Sequence, residues 1–544
     1  VAPGRPAPAD SPPHRAPREQ QHVPSRRGST VKILKISAIT TFVFALLVAI
    51  APAKAATPFG SLWTNALPQN VSPDKIKGLK KLKHLVFIIQ ENRAFDHYFG
   101  TYPGADGIPS PLPCLPSMWY PSQCFSPYEN HDVRQQGGPY SNPYQVADID
   151  NGKMDGYVIE REKELESQGC KPPNGIRPLG PKELNYLRSV DDDEGISEPF
   201  ASTNCISDVM GYHDGTDLPN YWAYAGKYVL MDHYFESVHS QSHPAHLEIF
   251  SGWTAFCSKL DPPDIDSCVT NSDPSHVWGT EYPTPYLWTD ITYLLYQNNI
   301  DWGVYLDGGQ SVLGSHTGVQ PIWSVLPGFE TVQQDGQVSN AEINLTQFYT
   351  DAANGTLPQV SWILPKYFDS EHPQAHIDDG EAYTTGLVNA IMQGPDWKDT
   401  AIFIEWDDMG GFYDHEVPGA TFDALGLGIR LPSLIISPYA KKGYIDHQIC
   451  SSDCYIKLIE DDFLKSERMD QAGRPDPRPD YRDEGTGQGN LENDFNFDQK
   501  PQQPLVLSTH PMSALRDGPS HGPPASSIHQ LPYRSQPGGR AAVR

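Results

Sequence analysis

Three short runs along the chain are apolar at almost every position, and each gives way at once to polar or turn-forming residues. Residues 82–90 (LKHLVFIIQ) end at Glu91-Asn92-Arg93, residues 400–406 (TAIFIEW) at Asp407-Asp408-Met409-Gly410-Gly411, and residues 431–437 (LPSLIIS) at Pro438. A strand with one wet face alternates apolar and polar side chains, whereas a continuous apolar run is what a parallel sheet covered on both faces requires. Helix-patterned stretches such as 380–392 (GEAYTTGLVNAIM) lie between the runs. The pattern predicts an α/β sandwich around a mostly parallel sheet. Such sheets gather functional groups just beyond the carboxyl ends of their strands, where both acidic clusters fall.

Other stretches break the pattern. Residues 104–197 are rich in Pro, Gly, Tyr and charge and carry three cysteines, so they read as an insertion lying over the site as a lid. The first thirty residues hold seven prolines and five arginines and bury too little to offset ordering; they read as disordered, or as upstream sequence translated ahead of a true start at Val31. Lys32 and Lys35 then precede a fifteen-residue apolar run, 36–50, that ends at Ala53-Lys54-Ala55. Charged, apolar and small-x-small in turn, residues 31–55 read as a signal peptide, and the run is short of the ~20 residues a membrane span needs. Arg26-Arg27 form a weak twin-arginine alternative. Residues 56–507 are expected to form the catalytic domain and residues 508–544 a disordered tail.

Export sharpens two further points. Without residues 1–55 the chain has 32 basic and 65 acidic residues, a net charge of −33, which disfavours nucleic acid as a partner and leaves any phosphate to be drawn in by a local cation. All eight cysteines lie in the exported part. In an oxidising compartment they point to disulfides, with 114/124, 257/268 and 450/454 spaced to close small loops. A secreted or periplasmic protein follows.

If the strands ending at Glu91-Asn92 and Asp407-Asp408 are neighbours, four oxygen-bearing side chains meet, a set suited to Mg, Ca or Mn, or to Zn. Singly, each residue is more often a cap or a turn. Ser242 lies in a stretch dense with histidine (234–252, YFESVHSQSHPAHLEIFSG) that lacks the GxSxG elbow of a serine esterase; a cation can lower a hydroxyl pKa without an adjacent base. Glu371-His372-Pro373 and Asp414-His415 supply imidazoles able to donate a proton or a hydrogen bond.

Residues 84–109, the Ser242 stretch, Glu371-His372-Pro373, 401–417, GKMDGY at 152–157, SPYAKKGYIDHQ at 437–448 and 491–507 together resemble the bacterial phosphoesterase family of phosphatidylcholine-type phospholipases C and respiratory-burst-inhibiting acid phosphatases. The resemblance runs in order from 82 to 507. It implies an alkaline-phosphatase-like three-layer α/β sandwich, and a divalent metal held by Glu91, Asn92, Ser242, Asp407 and Asp408. It further implies Ser242 as nucleophile, His372 as a phosphate contact and His415 as an assisting histidine.

The expected substrate is a phosphate ester or a phospholipid, the latter met through transient contact with a membrane surface. Three positions depart from the family pattern: Tyr140 stands where a histidine is common, His376 where an acid is common, and Ser242 where the phospholipases C commonly have threonine. The serine leans toward a phosphomonoesterase, the alternative to phospholipase C-like diester cleavage. A secreted binding protein with a dead site would lack a ligand or the nucleophile, and all five positions are filled. A sulfatase would need a C/SxPxR motif, absent around Ser242. Oligomeric state is not legible.

Overall fold

The computed structural model of the chain describes residues 77–170, 207–259, 264–270, 286–312, 315–419, 425–469, 482, 487–516 and 522–531. The expected upstream segment, the signal peptide and residues 171–197 of the insertion lie outside these residues.

Eight strands form the central sheet: β1 (His84–Gln90), β2 (Val229–Phe235), β3 (Trp302–Leu306), β4 (Ile343–Asn344), β5 (Val360–Leu364), β6 (Thr400–Trp406), β7 (Arg430–Ile436) and β8 (Tyr444–Asp446). Their order is β4-β3-β5-β1-β6-β7-β2-β8. β1, at the centre, pairs in parallel with β5 and β6, and Gln90 stands opposite Trp406. Only β7 is reversed, antiparallel to β6 and β2. Every residue of β5, β6 and β7 is buried, as their apolar runs required. The run at 431–437 therefore forms a strand, but its end lies at the opposite edge from the ends of β1 and β6. Burial on both faces produces the same apolar run in either direction, so that sequence carries no sign of polarity.

Both faces of the sheet are covered, and residues three apart on a strand show how. On one face Phe87 stacks on Phe403, with ring centroids 4.9 Å apart, and meets Tyr455 of a helix spanning Ser452–Phe463. The neighbouring Trp362 packs on Phe250 of the helix Ser242–Ser251. On the other face Trp406 meets Tyr98 and Tyr221 edge-on, and Gln90 donates to Thr384 at 2.6 Å. In chain order these helices are α1 (Phe95–Phe99), α2 (Pro219–Lys227), α3 (Ser242–Ser251), α4 (Ile377–Gln393) and α5 (Ser452–Phe463). Helices α3 and α5 form one outer layer, and α1, α2 and α4 the other, giving a three-layer α/β sandwich.

Within the described part of the insertion, two short strands, Leu115–Pro116 and Gln123–Phe125, pair with each other, and the second also pairs with Ile528–Gln530 from the far end of the chain. That pairing corrects the expectation of a disordered tail for residues 508–516 and 522–531; the rest of the tail lies outside the described residues. Ser508 and Ala514 are also tied down, by Asn220 and by the Thr216 carbonyl. A segment held through its backbone groups needs no apolar periodicity, which is why composition misread it. Disulfides join Cys114 to Cys124, Cys257 to Cys268 and Cys450 to Cys454, the three short closures expected. No helix among the described residues is long and apolar enough to cross a membrane.

Candidate active site

Because β1 and β6 are parallel and in register, the residues after Gln90 and Trp406 emerge side by side. Asn92 adopts a left-handed conformation, φ 58°, which asparagine tolerates better than most residues. There its backbone N–H donates to Asp407 Oδ1 at 2.9 Å and its side-chain amide to Asp408 Oδ1 at 2.6 Å. The turn beyond Asp408 needs its two glycines. Gly410 and Gly411 both have positive φ, and a Cβ on Gly411 would lie 2.3 Å from the backbone of Gly138. This close approach seats residues 137–140 of the insertion on the site.

Helix α3 delivers the serine. Ser242 is its first residue, where helical N–H groups lack intrahelical partners and favour negative charge. The Ser242 hydroxyl lies 3.0 Å from Glu91 Oε2 and 3.3 Å from Asp408 Oδ2. One turn on, at the i+4 spacing that places side chains on one face, His246 Nε2 lies 3.0 Å from Glu91 Oε1 and 3.7 Å from Asp407 Oδ2. His246 was missed in the sequence, although the S-x-x-x-H spacing on a helix was a usable signal.

Electrostatics decide what this cluster can hold. Glu91, Asp407 and Asp408 are all buried. Burial, then the neighbouring Asp407, pushes both Glu91 and Asp408 well above the usual carboxylate range. Among the described residues the only ion pairs of these carboxylates are with His246, and burial pulls that imidazole down to about 4, so it is neutral at neutral pH. Asn92 Oδ1 and Asp407 Oδ2 are buried without a hydrogen-bond partner among the described residues. Single ligand atoms of Glu91, His246 and Asp407 lie within 4.8 Å of one another. Three crowded carboxylates, with the orphaned oxygens of Asp407 and Asn92 among them, fit a hard divalent cation, with His246 as an additional ligand.

His372 reaches the rim on a strap. Glu371, at φ 68°, accepts hydrogen bonds from Tyr98 and Trp406 at 2.9 and 3.0 Å and a further one from Tyr221, while the Ser370 carbonyl accepts from Glu91 N at 2.9 Å. The strap is thus clamped to the ends of both β1 and β6. Burial holds His372 neutral, at about 4. Its Nδ1 lies 3.2 Å from the Pro373 carbonyl, which can only accept, so Nε2 carries the lone pair; the Tyr140 hydroxyl lies 3.5 Å from it. Burial and the charges of Asp408, Asp407 and Glu91 keep that phenol protonated. Tyr140 therefore stands at the site with a donor.

His415 is not brought to Ser242 by any contact: its partners are Asp96 at 2.7 Å, Asp106 at 3.4 Å and Arg430. Burial works against its charge, but the hydrogen bond it donates to Asp96 and the charge of that carboxylate win, raising it to about 9. A raised folded-state pKa stabilises most below the unfolded value near 6.5 and is lost as pH rises through about 9. His415→Gln should therefore cost on the order of 2–3 kcal/mol near pH 6, with the gap to wild type in denaturant titrations closing above pH 9. A gap that is constant with pH would mean that the imidazolium is not what Asp96 holds.

A family model described as "Phosphoesterase family" matches residues 82–464. Phospholipase C B of Mycobacterium tuberculosis is 26% identical over 84% of this chain and 86% of its own length. The non-hemolytic phospholipase C of Burkholderia pseudomallei is 25% identical over 85% and 66%. Among solved structures, an alkaline phosphatase superfamily protein of Vibrio parahaemolyticus aligns with TM-score 0.27 and 10% identity, over 73% of this chain and 76% of its own.

Proposed function

The chain belongs to the phosphoesterase family and is a hydrolase of phosphoric ester bonds, and from that premise we propose an exported, metal-dependent enzyme in which Ser242 is the nucleophile of phospholipase C-like diester cleavage. The observation that carries the reading is the Ser242 hydroxyl, within 3.3 Å of both Glu91 and Asp408 at a helix N-terminus. Glu91, Asn92, Asp407 and Asp408, with Ser242 and His246, hold a divalent cation. That cation, when bound, favours the ionised serine and draws charge from the phosphoryl oxygens.

The chain's own groups do the rest. The Ser242 proton leaves by Glu91 Oε2, its hydrogen-bond partner at rest. Oγ then bonds to phosphorus as the bond to the leaving oxygen breaks, and water later hydrolyses the phosphoserine. Tyr140, whose O–H is the donor of the pair it forms with His372 at the rim, hydrogen-bonds a non-bridging oxygen, and the proton taken up by Glu91 passes to the leaving oxygen. His415, ion-paired to Asp96, acts as an anchor of the loop after Gly411.

The serine at position 242 keeps a phosphomonoesterase as the second reading. Purified protein is expected to show a higher kcat/KM for para-nitrophenyl phosphorylcholine than for para-nitrophenyl phosphate. A tenfold preference for the monoester would overturn the diester assignment while leaving the nucleophile untouched.

A further inference from the structure

At the opposite edge of the sheet from Ser242, β1 begins at His84, paired with Thr400 at the start of β6. The short helical turn Pro395–Asp399 leads into β6 and carries Asp396 and Asp399. His84 Nε2, Asp396 and Asp399 each offer a ligand atom, and these atoms lie within 4.8 Å of one another.

The hydrogen bonds show what they lack. His84 Nδ1 lies 3.0 Å from the Pro358 carbonyl; a carbonyl only accepts, so Nδ1 carries the proton and Nε2 of the neutral ring presents a lone pair. Metal-ligating histidines are oriented by this same arrangement. That lone pair faces Asp396 Oδ1 at 3.8 Å, too long for a hydrogen bond and within the range for two atoms bound to one ion at about 2.1 Å each. Asp396 is 7% exposed, and its Oδ2 is buried without a hydrogen-bond partner among the described residues, as is Asp399 Oδ1. Among the described residues Asp399 is ion-paired with Lys398, which is 70% exposed and 3.6 Å from Asp399 Oδ1, a pairing worth little.

We propose that His84, Asp396 and Asp399 form a second, structural binding site for a divalent transition-metal ion, of which Zn2+ is the best match for one imidazole and two carboxylates. The ion staples the start of β1 to the turn preceding β6 and, through Pro358, to the segment preceding β5. It sets the register of three adjacent strands whose far ends carry the catalytic groups. Protein–ion bonds here would act on stability rather than on the phosphoryl group.

The test separates this site from the catalytic one. In a Glu91→Gln, Asp407→Asn, Asp408→Asn background, which removes every catalytic carboxylate, metal-stripped protein titrated with Zn2+ should gain several degrees in Tm and bind one equivalent at the new site. Adding His84→Gln or Asp396→Asn should remove both effects. Diffraction at the zinc edge from wild-type crystals grown with Zn2+ should place an anomalous peak beside His84 Nε2, and this reading holds even if the variants fold poorly. A peak at Glu91 and Asp407 with none at His84 would overturn the proposal. A peak at His84 with none at Glu91 would support the proposal and would mean that the catalytic carboxylates select a harder cation than Zn2+.

Discussion

Ser242→Ala should lower kcat by roughly four to six orders of magnitude, the loss seen when a nucleophile acting as part of a unit is removed. The hydroxyl's one proton lies between two carboxylates, 3.0 and 3.3 Å away, that the cation would also satisfy, and alanine suits a helix start flanked by buried residues. The variant should therefore keep its Tm within a few degrees and its metal content. Ser242→Thr keeps a hydroxyl at the same place and should retain measurable turnover. Single-turnover kinetics with a chromogenic ester, together with trapping of phosphoserine by acid quench, check the assignment. An alanine variant turning over at the wild-type rate would remove Ser242 from the chemistry.

How much of this site could be read from the chain depended on how local each signal was. The ends of β1 and β6 were legible because a doubly covered strand must be apolar throughout, so the first polar residues mark its end. Their adjacency was not legible: residues 92 and 408 meet through strand order, and the reversal of β7 shows that apolar runs carry no direction. Ser242 had no local distinction, and its neighbour His246 was lost among the surrounding histidines because the stretch was read by composition rather than at helical spacing. His415 stands near Asp407-Asp408 in sequence, and the turn at Gly410-Gly411 carries its side chain to Asp96, a placement that strand and turn patterns do not show. Tyr140 looked like a missing contact; its placement depends on Gly138 packing against Gly411, which only the fold reveals.

Removing the metal should show the strain those carboxylates store. Chelated wild-type protein is expected to lose turnover and to fall in stability by roughly 4 kcal/mol relative to protein with metal at a thousand times its Kd, both restored by a hard divalent cation. Asp408→Asn makes the sharper case. The amide oxygen still accepts at Oδ1 from Asn92 and from Gly410 N, as the aspartate does at 2.6 and 2.9 Å, so the turn survives. What is lost is one of three mutually repelling buried charges. Without metal the variant should therefore be more stable than wild type, by roughly 1–3 kcal/mol; with metal the order should invert, because the remaining ligands bind the cation more weakly. Paired thermal melts with and without chelator would reveal this crossing. A variant less stable than wild type by the same margin in both conditions would mean that Asp408 serves the turn alone, and that the charge at this edge of the sheet is balanced by something other than a cation.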